Sequence, residues 1–186
     1  METKEKILSA AIKLFVEKGF NETPTSLISK EAGVATGTLF HHYQTKEQLI
    51  NSLYLHCKER LVRLMMEGVQ EQTTFRAKMK RMWENTIQWG MNNPMEYQFF
   101  MQFSYSAYIS EKTHDEGFTL FSGMNRIFFE GVELELVKRM DPDLLISMVS
   151  SMTMTQIQYF LQHPEKYANS DIRKQAFTLL WDSFRI

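Results

Sequence analysis

The chain has 186 residues, with 21 Lys+Arg against 22 Asp+Glu, a formal net charge of −1 and a pI near 6.5, so charge by itself nominates neither nucleic acid nor an anionic membrane. Apolar residues make up 44%, with 8 Gly, 4 Pro and the single Cys57, which excludes disorder, collagen and a disulfide scaffold. No apolar run reaches the roughly 18 residues of a membrane span, and the charged start METKEKILSAAIKLF is not signal-like, so a cytoplasmic location and no membrane partner are expected.

Apolar residues recur at helical spacing almost throughout, which predicts an all-α protein of about nine helices. The first places Ile7, Ala11, Leu14 and Phe15 on one face, with Thr3 as the expected N-cap and Gly19 as the stop. A second is expected from Thr23-Pro24, capped by the Thr23 hydroxyl, to Ala32-Gly33, and a short third from about Thr36 to Tyr43. Thr45-Lys46-Glu47-Gln48 is a capping box that opens a long fourth helix bearing Leu49, Leu53, Cys57, Leu61 and Met65. A fifth carries Phe75 to Ile87, and Asn93-Pro94 restarts the chain into an aromatic and Met-rich stretch ending near Tyr108. The polar segment 110–117 reads as a loop; two long helices, about 118–139 and 142–162, and a last one from Ser170 complete the order.

The segment PTSLISKEAGVATGTLFHHYQTK has the organisation of a helix-turn-helix: two short helices around a Gly-containing turn. Leu27, Ile28, Ala32 and Leu39 point inward, Gly33 supplies the turn's backbone angle and Val34 plugs it. Thr36, Gly37, Thr38, Phe40, His41 and His42 are left outward, as on a recognition helix facing a major groove. Tyr43, at i+4 from Leu39, is expected in the core. His41 and His42 make no metal site, because adjacent helical residues point about 100° apart and no further ligand lies at suitable spacing.

Residues 4–50 resemble the DNA-binding domain of the TetR family of one-component regulators. The similarity runs in order and register through Lys6-Ile7-Leu8, Ala11, Leu14-Phe15, Gly19-Phe20, Ile28, Ala32-Gly33-Val34, Gly37-Thr38-Leu39-Phe40, His42-Tyr43 and Lys46-Glu47 with Leu49. Beyond residue 50 only the helical layout agrees. The resemblance implies an N-terminal three-helix helix-turn-helix domain over residues 1–46, followed by a larger helical ligand-binding and dimerisation domain over 47–186. It also implies an operator-binding protein that is not an enzyme. A small all-α enzyme or carrier is the alternative, but no nucleophile–base pair, HExxH, CxxC pair or phosphate loop supports it, and no cofactor or metal is expected.

Carried over by position, the resemblance assigns Thr25 and Ser26 to phosphates, with Pro24 standing where many relatives have a hydroxyl. Thr36, Gly37 and Thr38 approach base edges, Phe40 keeps apolar contact where relatives often carry Tyr, His41 reads a base, and His42 and Lys46 contact phosphates. Residues 1–50 hold six Lys and six Glu, so this face depends on how the charges are distributed.

One helix-turn-helix makes few contacts, which points to a homodimer on a palindromic double-stranded operator. The resemblance implies that the last two long helices pair with their mates, and two stripes suit that role: Leu145, Met148, Val149, Met152 and Tyr159, with Ala176, Leu179, Leu180 and Ser183. The chain has 13 Met and 14 Phe, and its Met and aromatic excess concentrates in residues 79–128. There Met82, Trp83, Thr86, Trp89, Tyr97, Phe100, Phe103, Phe121, Met124, Asn125 and Phe128, joined by Gln156, are the candidate lining of a site for a hydrophobic or aromatic small-molecule effector. The expected outcome of effector binding is release from DNA.

Overall fold

A computed structural model describes residues 2–186, and eleven α-helices appear among the described residues. They are α1 (Thr3–Lys18), α2 (Thr25–Ala32), α3 (Thr36–His42), α4 (Lys46–Met65), α5 (Phe75–Asn92), α6 (Pro94–Phe103), α7 (Glu111–Thr119), α8 (Ser122–Glu133), α9 (Pro142–Gln162), α10 (Pro164–Ala168) and α11 (Ser170–Phe184). The fold is all-α; its strand-like pairing among these residues is one antiparallel bridge between Val137 and Arg185.

The extra helices have local causes. Segment 110–117 is not a loop: Ser110 Oγ accepts the Thr113 N–H at 3.2 Å, Lys112 pairs with Glu116 at 3.7 Å, and only Thr113 and Gly117 of α7 turn inward. A polar helix held by a cap and i,i+4 charges carries little apolar periodicity. The helix expected over 118–139 ends at Glu133, because Glu135 turns to φ 56° and Leu136 N–H bonds back to Gly131 O at 2.9 Å. The chain then runs extended, and Lys138 N–H donates to Phe184 O at 2.9 Å.

Two expected caps move. The N-cap of α1 is Glu2 rather than Thr3, with Glu5 accepting from the Glu2 N–H at 3.3 Å. Pro24 is the N-cap of α2, and the buried Thr23 hydroxyl instead sits at 2.7 Å from Gly19 O and 3.1 Å from Leu14 O, closing the C-terminal end of α1. At α4 the expected box forms with one change. Thr45 Oγ1 accepts from Gln48 N–H at 3.0 Å, while Gln48 Oε1 accepts from Gln44 N–H at 2.7 Å.

The helices form two compact units. The first comprises residues through Glu59 with 93–119, hence α1 to α3, most of α4, α6 and α7. α1 packs on α2 and α6, and its core includes Ile7, Phe15, Ile28, Leu39, Leu49, Leu53 and Phe99. The second comprises residues 60–92 and 120–186. Here α5 packs on α9 so closely that a Cβ at Gly90 would lie 2.5 Å from Ile157 Cγ2. The last carbonyls of α4 find partners on α5: Asn85 Nδ2 donates to Met65 O at 3.0 Å and to Glu67 O at 2.8 Å.

Candidate nucleic-acid interface and apolar site

The helix-turn-helix is built in the first unit. α2 ends on Gly33, whose left-handed backbone (φ 67°, ψ 35°) suits a residue without Cβ, and Val34 N–H returns to Ser29 O at 3.0 Å. Ser29 is a participant that sequence reasoning missed. Its buried hydroxyl donates to Ser26 O at 3.0 Å and lies 3.0 Å from Thr36 Oγ1, so the Thr36 hydroxyl supplies the proton of that second bond. The signal was available: a Ser beside Ile28 on the inward side of α2 needs a polar partner.

α3 buries Leu39, and Tyr43 follows at its C-cap, also buried as expected. Thr36, Gly37, His41 and His42 are exposed, Thr38 is half-buried and Phe40 is 43% exposed. The face therefore offers hydroxyls, a glycine, an apolar ring and two imidazoles. On α2, Thr25 is half-buried at the first helical position and Ser26 is exposed. Lys46 opens α4, but its ammonium is not fully at large: it donates to Phe20 O and lies 4.1 Å from the Phe20 ring centroid. Burial holds its pKa below the ordinary lysine value, opposed by the nearby carboxylates of Glu47 and Glu22. Those two acids stand beside the candidate phosphate contact and not away from it.

The aromatic set divides between the units. Tyr97, Phe100 and Phe103 are buried in the first; Phe103 packs 5.0 Å from Phe99 and 6.2 Å from Phe15, and Phe100 meets Tyr54 edge-on at 5.8 Å. Met82, Trp83, Thr86, Trp89, Met124 and Phe128 are buried in the second, with Phe121 and Asn125 half-buried on α8 or at its cap. Two of the three polar members are committed internally. Thr86 Oγ1 donates to Met82 O at 2.7 Å, and Gln156 accepts from the Trp83 indole at 2.7 Å while donating to Ala176 O at 2.8 Å. Asn125 Oδ1, by contrast, is buried without a hydrogen-bond partner.

The stripes on α9 and α11 also divide. Leu145, Val149 and Leu180 are buried within the second unit, Met152 and Ala176 are half-buried, and Met148, Tyr159, Leu179 and Ser183 are exposed. Leu144, absent from the expected stripe, is 52% exposed.

A rigid turn holding a short helix with its polar and aromatic face outward defines a helix-turn-helix protein. Residues 7–53 match the family described as bacterial regulatory proteins, tetR family. That match runs from within α1 through α2 and α3 to the start of α4. It is similar to the fatty acid metabolism regulator protein of Bacillus subtilis, 31% identical over 74 residues, which are 40% of this chain and 38% of that one. A TetR-family transcription regulator from Shewanella sp. PV-4 superposes with a TM-score of 0.94 at 28% identity, covering 100% of both chains. The Bacillus subtilis regulator FadR, solved in complex with stearoyl-CoA, shares the fold at a TM-score of 0.77 and 20% identity, over 95% of this chain and 96% of that one. The relatives carry the names of transcriptional regulators, not of enzymes. Among the described residues no helix is long and apolar enough to cross a membrane.

Proposed function

We propose that this chain is a homodimeric DNA-binding repressor, released from a palindromic operator by a hydrophobic or aromatic small molecule. The observation that carries the reading is the exposed face of α3, Thr36, Gly37, Phe40, His41 and His42, on a turn fixed by Gly33, Ser29 and Thr36. Base edges are read by Thr38 and His41, while Thr25, Ser26, His42 and Lys46 meet phosphates. In functional terms residues 1–46 read DNA and 47–186 dimerise and sense the effector.

Dimerisation is supported by the composition of α9. Residues 144–162 contain no Asp, Glu, Lys or Arg, although the helix has a solvent-facing side carrying Leu144, Met148 and Tyr159. Soluble helices that stay in water carry charge there, and an exposed apolar side marks an association surface. Met148 at 54% and Leu179 at 65% exposure are the expected centre, with Met152, Tyr159 and Ser183 around them. Leu145, Val149 and Leu180 support this face from inside. For the effector, α8 offers Phe121, Met124, Asn125 and Phe128 at helical spacing, and the unpartnered Asn125 Oδ1 suits a ligand that donates a hydrogen bond. Ligand binding favours a conformation in which the recognition helices no longer match one helical turn of DNA, or a multiple of it.

The reading is tested by selecting duplexes from a random pool with the purified chain. Enrichment of a palindrome, with steep salt dependence, is the expected result; recovery of unenriched sequence contradicts it.

A further inference from the structure

Phe20 joins the DNA-reading end of α4 to a part of the chain far outside the helix-turn-helix. It follows Gly19 at the end of α1, and Tyr108 stacks on its ring with centroids 4.1 Å apart and planes 24° apart. The Lys46 ammonium lies over the same ring and donates to the carbonyl of the same residue. Tyr108 is itself held to α4. Asn51 Nδ2 donates to Tyr108 O at 2.9 Å, and Asn51 Oδ1 accepts from Ser110 N–H at 2.9 Å. Lys46 and Asn51, five positions apart on α4, therefore both engage the packing around segment 108–110.

From this arrangement we propose that Tyr108 is a positioning residue for DNA binding: its ring fixes Phe20, and Phe20 fixes the Lys46 ammonium where it meets a phosphate. The inference rests on the DNA-binding reading above. A free lysine stem loses its rotamer freedom when it binds, whereas one already laid over an aromatic ring has lost much of it beforehand. One ammonium hydrogen is taken by Phe20 O, and two remain for phosphate oxygens. Segment 108–110 thus contributes to affinity without touching DNA, and because phosphates carry no base identity it contributes alike on every sequence.

The test is a double-mutant cycle on a selected duplex, reading Kd at several salt concentrations for the wild type, Lys46→Ala, Tyr108→Leu, Tyr108→Phe and the pair Lys46→Ala with Tyr108→Leu. Tyr108→Leu is expected to raise Kd about five- to tenfold, equally on matched and mismatched duplexes. Tyr108→Phe restores binding, and Tyr108→Leu adds nothing once Lys46 is Ala. Asn51→Ala, at a half-exposed position, gives a second route to the same coupling if Tyr108→Leu is poorly folded. Wild-type affinity for Tyr108→Leu and Asn51→Ala, or an equal loss with Lys46 present and absent, overturns the positioning role. If Lys46→Ala leaves the salt slope unchanged, the phosphate contact itself fails, and the inference falls with it.

Discussion

The Trp83 indole N–H donates to Gln156 Oε1 at 2.7 Å, and the amide nitrogen of Gln156 donates to the carbonyl of Ala176 at 2.8 Å. One side chain of α9 thereby bridges α5 and α11. Gln156→Met is expected to cost about 1–3 kcal/mol, because it orphans the buried Trp83 N–H and removes the second bond to the Ala176 carbonyl, which keeps its in-helix partner, while side-chain volume is kept. Urea denaturation reads the loss. An unchanged midpoint would show that Gln156 is not part of the structural network.

Close packing of α5 on α9 makes a second demand. Gly90→Ala places a methyl 2.5 Å from Ile157 Cγ2 and 2.8 Å from its Cδ1, and the crowding is expected to destabilise the fold by about 1–3 kcal/mol. Ile157→Val in the Gly90→Ala background removes the Cδ1 contact and should recover part of the loss. Thermal melts of the single and double variants check this.

Thr23 and Tyr43 make an opposed pair. Both hydroxyls belong to buried side chains that flank the helix-turn-helix, but Thr23 Oγ1 engages two carbonyls and Tyr43 Oη has no hydrogen-bond partner. Thr23→Val should cost about 1–3 kcal/mol, whereas Tyr43→Phe should leave stability unchanged or raise it by about 1 kcal/mol. Equal destabilisation by both would refute the distinction.

Lys58 gives the chain a pH signature. Its ammonium lies over the Tyr54 ring at 4.8 Å and its stem runs beside Gly117, and burial pushes its pKa from 10.5 down to about 8. Between those values the unfolded chain binds more protons than the folded one, so stability rises with pH through this window. Below about pH 8 both states are protonated and the full cost of the buried charge persists. Burial raises the pKa of Tyr43, Tyr54 and Tyr97, which works in the opposite direction only where the unfolded phenols ionise, near pH 10. Denaturation midpoints from about pH 8 to 9.5 should climb in the wild type and flatten in Lys58→Met.

What the sequence disclosed follows from how local its signals are. Gly33 and the Thr45 cap act within a few residues, so α2, α3 and the start of α4 fall within a residue or two of their expected places. The role of Thr23 is not legible in the sequence because a hydroxyl before a helix can cap forward or bond backward, and the choice depends on how α1 ends. α7 leaves little trace in the apolar pattern because its stabilising groups are a serine cap and a surface ion pair. The aromatic surplus is visible in the sequence, but periodicity names a buried face and not the neighbour that covers it. Tyr97, Phe100 and Phe103 consequently belong to one unit while Trp83, Met124 and Phe128 belong to the other. Likewise Leu145 and Met148 share a stripe in sequence, yet one is buried and the other exposed.

Operator binding as proposed requires two chains presenting paired recognition helices to one duplex. The most direct measurement is the stoichiometry of the complex with a selected duplex, by sedimentation velocity, for the wild type and Met148→Glu. Two wild-type chains per palindromic site, with half-sites one helical turn or a multiple apart, are expected, together with loss of both the dimer and tight binding in Met148→Glu. A single wild-type chain bound per site, or a Met148→Glu protein that still binds as a dimer, would contradict it.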